Sequence, residues 1–178
     1  MTLTLGWFST GRGPGSRGLL DFVHKSIRHG DALADIAFVF SNREHGESEE
    51  TDLFFDLIRK CDIPLINLSY KRFVQGFTGP KSAIRLEFDR KVMSLLEGYR
   101  PNICILGGYM LIVGAEMIRR YTMLNLHPAL PNGPIGKWQE VIWNLIETRA
   151  DRTGAMIHVA LEEVDRGPVV TYSSVSLR

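Results

Sequence analysis

Apolar residues along this chain fall into two patterns that alternate from one end to the other. Short continuous runs, Leu3-Thr4-Leu5-Gly6-Trp7-Phe8 and Ile36-Ala37-Phe38-Val39-Phe40, have the length and composition of strands, the second one covered on both faces. Further strands are expected at residues 64–68, 103–106, 123–126, 155–161 and 169–172. Between them the spacing is helical. Leu19, Leu20, Phe22, Val23 and Ile27 mark one helix, and Leu53, Phe54, Leu57 and Ile58 mark another over residues 52–60. Pro80 opens a third that runs to Glu97, with Ile84, Phe88, Val92, Leu95 and Leu96 on one side. A short helix is expected at residues 115–120, and Trp138, Val141, Ile142, Leu145 and Ile146 form the face of a last one. Residues 69–80 are polar, contain Gly and read as a loop. Strands alternating with helices predict an α/β protein built on an open sheet, mostly parallel at its start.

In open sheets of this kind ligands bind beyond the carboxyl ends of the strands. Two stretches with chemistry in them lie there. Leu124-Asn125-Leu126-His127-Pro128 puts an amide and an imidazole two residues apart at a strand end, where they point the same way. Asp165-Arg166-Gly167-Pro168 adds a carboxylate in a tight turn after a later strand. One amide, one imidazole and one carboxylate suffice for a proton-transfer site.

The other stretch is the Gly-rich loop after the first strand, which runs into a helix and so has the geometry that receives an anion. Gly13-Pro14-Gly15-Ser16-Arg17-Gly18 matches the G-x-G-x-x-G dinucleotide pattern. Pro14 stiffens the turn, and the second strand ends in Ser41-Asn42-Arg43 without the acid that would hold a ribose. Three uses stay open: an NADP site with Arg43 on the 2′-phosphate, a phosphate monoester held near Gly15 and Ser16 with Arg12 or Arg17, or a flexible turn with solvated arginines. His158 reads as a core histidine, and His24, His29 and His45 as surface positions. No i,i+4 histidine pair or acid cluster suggests a metal, and no nucleophile elbow is present. Direct transfer between two bound substrates, or hydrolysis by water, fits this inventory.

Composition narrows the picture further. At 178 residues the chain is long enough for one domain with a core of its own. Its net charge of +1, from 21 basic and 20 acidic residues, gives no field to draw it to nucleic acid or membrane. Cys61 and Cys104 sit in apolar contexts and are expected to be reduced core residues, as in a cytoplasmic protein. No apolar run approaches the roughly 18 residues of a membrane helix, and the start of the chain lacks the pattern of a signal peptide.

Several segments together then carry a family resemblance over nearly the whole chain. They are Gly15-Ser16-Arg17, Val39-Phe40-Ser41-Asn42-Arg43, Phe88-Asp89-Arg90 and Leu106-Gly107-Gly108-Tyr109-Met110. The most specific are Leu124-Asn125-Leu126-His127-Pro128, Thr153-Gly154-Ala155-Met156-Ile157-His158-Val159 and Val164-Asp165-Arg166-Gly167-Pro168-Val169. In this order they resemble the folate-dependent formyltransferases, nearest the glycinamide ribonucleotide formyltransferase branch. The resemblance implies a Rossmann-like formyltransferase fold of about seven strands, with residues 1–178 as a single catalytic domain.

It also implies a formyl donor, 10-formyltetrahydrofolate, as co-substrate, no metal, and a small-molecule amine acceptor carrying a phosphate. Asn125, His127 and Asp165 would be the catalytic trio: the Asn125 amide N–H and the His127 imidazolium stabilise a tetrahedral oxyanion, and Asp165 orients the ring. Gly15, Ser16, Arg17 and Arg12 would hold the phosphate. Gly108, Tyr109, Met110, Leu111, Val113 and Asp165 would hold the folate, largely through backbone groups. A homodimer stays open.

The chain departs from the pattern in places. Its phosphate loop is longer, with Arg17 where the family usually has Asn. Leu111 stands where many members have Arg, and residues 129–136 replace Ser-Leu-Leu-Pro. The family's usual C-terminal strand and helix do not follow Gly167. These departures leave room for other readings: a 10-formyltetrahydrofolate hydrolase, a nucleotide-sugar amine formyltransferase, or a folate-binding module without catalysis. A methionyl-tRNA formyltransferase would need a nucleic-acid-binding domain and a more basic chain.

Overall fold

The structure is a computed structural model and describes residues 2–136 and 138–177. Seven strands form one sheet: β1 (Leu3–Phe8), β2 (Ala34–Ser41), β3 (Leu65–Asn67), β4 (Ile103–Leu106), β5 (Met123–His127), β6 (Arg152–Val159) and β7 (Val169–Ser176). Their spatial order is β3-β2-β1-β4-β5-β6-β7. β1 to β5 pair in parallel, and β6 and β7 are added antiparallel. The sheet is therefore the mostly parallel α/β sheet expected.

Strand alternation builds two cores, one on each face. Trp7, Val39, Leu20, Phe54 and Ile58 pack on one side, under α1 (Pro14–His29) and α2 (Glu49–Lys60). Phe8, Phe38, Phe40, Phe88, Val92 and Met117 pack on the other, under α4 (Ile84–Leu95) and α5 (Ala115–Arg120). Of the period read for α1, Leu20 alone is buried, and Phe22 stays 69% exposed. Pro14 occupies the first turn of α1, so residues 15–18 belong to the helix and not to the loop before it. α2 starts three residues earlier than expected because Ser48 caps it, its side chain accepting from the Thr51 N–H, while Glu49, Glu50 and Asp52 face the positive end of the dipole.

Two sequence-based expectations are corrected here. Residues 69–80 hold a short helix, α3 (Tyr70–Gly76), capped by the Ser69 side chain. Seven residues with only Tyr70 and Phe73 partly buried leave too short a period to read. The long helix read from Pro80 to Glu97 is divided instead into a 3-10 turn at Lys81–Ala83 and α4, and Leu95 faces water. Asp89 takes a buried place on the face where only apolar residues were expected. The last helix, α6 (Trp138–Glu147), buries Val141 but leaves Trp138, Ile142, Trp143 and Ile146 exposed.

Candidate active site

Register places the site. Phe8 of β1 lies beside Leu106 of β4, and Leu106 lies beside Asn125 of β5. The loops after β1 and β4 thus leave the sheet next to the end of β5. The antiparallel neighbour β6 sets His158 opposite Asn125 and Met156 opposite His127.

The turn between β6 and β7 folds back onto this edge. The Val159 N–H donates to the Pro168 carbonyl at 2.9 Å. Gly167 is pressed so tightly on β6 that a Cβ would lie 1.7 Å from the Val159 oxygen. Asp165, just before it, adopts a left-handed conformation with φ of 55°, which Asp tolerates better than most residues. That turn aims its carboxylate inward, where its side chain is only 9% exposed.

The carboxylate gathers three side chains. Asn125 Nδ2 donates to Asp165 Oδ1 at 3.0 Å, His127 Nδ1 lies 3.4 Å from Oδ2, and His158 Nε2 lies 3.5 Å from Oδ1. The second Asn125 N–H points to His158 Nε2 at 3.1 Å, and His158 Nδ1 lies 3.0 Å from the Val159 carbonyl. A carbonyl only accepts, so the hydrogen of a neutral His158 sits on Nδ1 and Nε2 receives Asn125. His127 Nε2 lies 2.9 Å from the Pro134 carbonyl, so both of its nitrogens face acceptors, a pattern that an imidazolium satisfies. Both imidazoles are buried.

The structure thus brings Asn125, His127 and Asp165 together and adds His158, which the sequence reading assigned to the core. The missed signal was its alternation with buried Met156 on β6, useful only once the register with Asn125 is known. Two shallow hollows of about 240 and 310 Å³ lie around residues 129–134, α6 and Thr153, and neither includes a member of the trio.

Other expected positions are dispersed. The Thr10 N–H donates to the Gly108 carbonyl at 3.0 Å and Thr10 Oγ1 receives the Met110 N–H at 2.9 Å, tying the β1 loop to the β4 loop. The Ser16 hydroxyl reaches this junction, within 3.0 Å of where a Gly108 Cβ would sit. Arg17 turns away and pairs with Glu50 on α2, while Arg12 is exposed and Gly15 lies in the open first turn of α1. Among the residues expected to hold folate, Tyr109 packs its ring against Phe8 at 5.7 Å, and burial pushes its hydroxyl up to about 12. Val113 is buried too, Leu111 half-buried, and Met110 exposed. The loop therefore exposes backbone, Met110 and Ile112, not the Tyr109 ring. Among the described residues, no group of three or more His, Cys, Asp or Glu could hold a metal ion, and no helix is long and apolar enough to cross a membrane.

Comparison with known proteins fits this geometry. The model of the formyl transferase family matches residues 15–177. The trifunctional purine biosynthetic protein adenosine-3 of Bos taurus is 26% identical over 171 residues, covering 95% of this chain and 15% of that protein. The phosphoribosylglycinamide formyltransferase of Saccharomyces cerevisiae is 31% identical over 126 residues, covering 64% of this chain and 59% of that one. The chain thus spans less than two thirds of the length of either relative. Glycinamide ribonucleotide transformylase 1 from Geobacillus kaustophilus shares the fold, with a TM-score of 0.79 at 22% identity, over 100% of this chain and 85% of that one. Matched from residue 15 onward, with its polar cluster at the carboxyl edge of such a sheet, this chain belongs to the formyl transferase family.

Proposed function

We propose that this chain transfers a formyl group from 10-formyltetrahydrofolate to a primary amine, with glycinamide ribonucleotide as the acceptor, in purine biosynthesis. The observation that carries the reading is the Asp165 carboxylate shared by Asn125, His127 and His158 beside the β4 loop. The names of the relatives supply the acceptor, and the family resemblance of the sequence supplies the donor. Residues 1–178 act as one catalytic domain in this reading, and the work is cytoplasmic.

The reaction joins the amine nitrogen to the formyl carbon and later breaks the bond from that carbon to folate N10. Between the two steps the formyl oxygen carries negative charge. His127 and one Asn125 N–H neutralise it. Both Asn125 hydrogens are engaged in the resting arrangement, so Asn125 exchanges its His158 contact for the oxyanion as charge develops. His127 likewise releases the Pro134 carbonyl. Asp165 accepts the proton leaving the amine nitrogen, directly or through water, and returns it to N10 as tetrahydrofolate departs. The balanced result is a formamide and N10–H. Backbone groups of residues 107–113 and the exposed Met110 hold the folate; the Gly15 N–H, Ser16 and Arg12 take the acceptor phosphate. Arg17 joins them only after leaving Glu50.

The test follows tetrahydrofolate release from 10-formyltetrahydrofolate with and without glycinamide ribonucleotide. Release only with the acceptor is expected, and release without it would make the chain a hydrolase. His127→Ala should keep its melting temperature within a few degrees and lose about 100-fold or more in kcat. Near wild-type turnover in that variant would overturn the mechanism.

A further inference from the structure

Asp89 is one of the most deeply buried polar side chains in the protein, at 1% exposure, and the steps above make no use of it. It lies on α4 between buried Phe88 and Val92. Its two oxygens serve different masters. Oδ1 pairs with Arg85 one turn earlier, and Oδ2 accepts the backbone N–H of Gly114 at 2.7 Å. Gly114 ends the loop that leaves β4 and forms the N-cap of α5. A Cβ on residue 114 would sit 2.7 Å from Asp89 Oδ2, so the close approach needs glycine there.

The loop is thus held at both ends. Its start is tied to the β1 loop, through Thr10 to Gly108 and Met110. Its end is tied to α4 by Asp89. Tyr109 and Val113 plug into the core between these anchors, and Met110 and Ile112 stay exposed, at 46% and 63%. A carboxylate inside a helix costs helix propensity and desolvation, and a bond to its own helix alone would not offset that. The bond to Gly114 is the return: it sets the height at which the loop backbone stands over the end of β4.

We propose that Asp89 is a positioning residue for the folate, acting through Gly114 to present the backbone of residues 107–113. The inference rests on the reading of that loop as the folate-binding segment. Asp89→Ala should raise the KM for 10-formyltetrahydrofolate, and the Kd of a non-transferring 10-formyl folate analogue, by about tenfold. It should leave the acceptor KM unchanged and kcat within about twofold. Asp89→Asn keeps an oxygen for the Gly114 N–H and should recover to within about threefold of wild type. If the alanine variant does not fold, Gly114→Ala provides the same break from the loop side, with the same folate-specific loss. Arg90→Ala, which removes the exposed pairs of Arg90 with Glu116 on α5 and Glu87 on α4, should change neither constant.

Hydrogen exchange at the Gly114 amide reads the strut independently of turnover, with protection expected in wild type and Asp89→Asn and lost in Asp89→Ala. Protection lost with unchanged folate affinity would overturn the proposal alone, as would a fall in kcat with KM unmoved. A wild-type chain that binds no folate analogue would overturn both this inference and the functional reading beneath it.

Discussion

At the scale of residues, the site is a contest among donors for one carboxylate. Asp165 receives Asn125 and stands near both imidazoles, so removing its charge leaves two buried rings without their shared partner. Asp165→Asn suits the left-handed turn equally well and should fold normally, yet lose about 100-fold or more in kcat/KM; activity assays beside a thermal melt check both halves. The cysteines make a second residue-level case. Burial pushes the Cys104 thiol up to about 12, whereas Cys61 is half-buried and raised by partial burial and by Asp21. A thiol reagent near pH 8 should therefore label Cys61 first and reach Cys104 only on unfolding, as mass spectrometry would show. Asp89 gives the pH-dependent case. Burial raises its carboxyl above the ordinary value, with Arg85 and the Gly114 N–H opposing. The folded chain then holds that proton more tightly than the unfolded one. The resulting stabilisation is full below about pH 4 and is lost as pH rises through the raised value. Denaturant titrations should show Asp89→Asn gaining on wild type over that rise.

At the scale of elements, the turn from β6 to β7 decides whether the trio exists. Gly167 has no room for a side chain against Val159, and its neighbour Pro168 supplies the carbonyl that ends β6. Gly167→Ala should destabilise the protein by about 3 kcal/mol and lower activity in the folded fraction, because the carboxylate two residues earlier moves with the turn. Equilibrium unfolding and kinetics on the same sample separate those effects. Elements also explain what the apolar pattern misreported. α3 is capped by Ser69 but too short for its period to show. The apolar stripe of α6 is real, but β6 and β7 cover little of it.

At the scale of the molecule, the sheet runs outward from β1 to β2 and β3, then returns to continue from β4 on the other side. The crevice where this reversal occurs, between the ends of β1 and β4, is where open α/β sheets bind ligands. Here it is floored by the Thr10, Asn42 and Gly108 network, in which Thr10 Oγ1 donates to Asn42 Oδ1 at 2.7 Å. Packing is uneven across the sheet. The central strands are buried on both faces, while β7 and α6 are largely exposed. Hydrogen exchange should therefore release β7 and α6 at lower free energy than β1, β2 and β4.

Much of this was legible in the residues alone. The apolar runs located all seven strands to within a few positions, most plainly the central ones, because a strand covered on both faces must be apolar throughout. Asn125 and His127 could be paired because strand alternation is local. His158 could not join them, because its place opposite Asn125 depends on the antiparallel register of β5 and β6, and hydrophobic alternation alone does not name a partner strand. The pairing of Arg17 with Glu50, thirty-three residues later, and the reach of Asp89 to Gly114 likewise depend on how helices settle on the sheet. Local periodicity wrote the elements; long-range packing chose which charged groups meet, and with that the shape of the site.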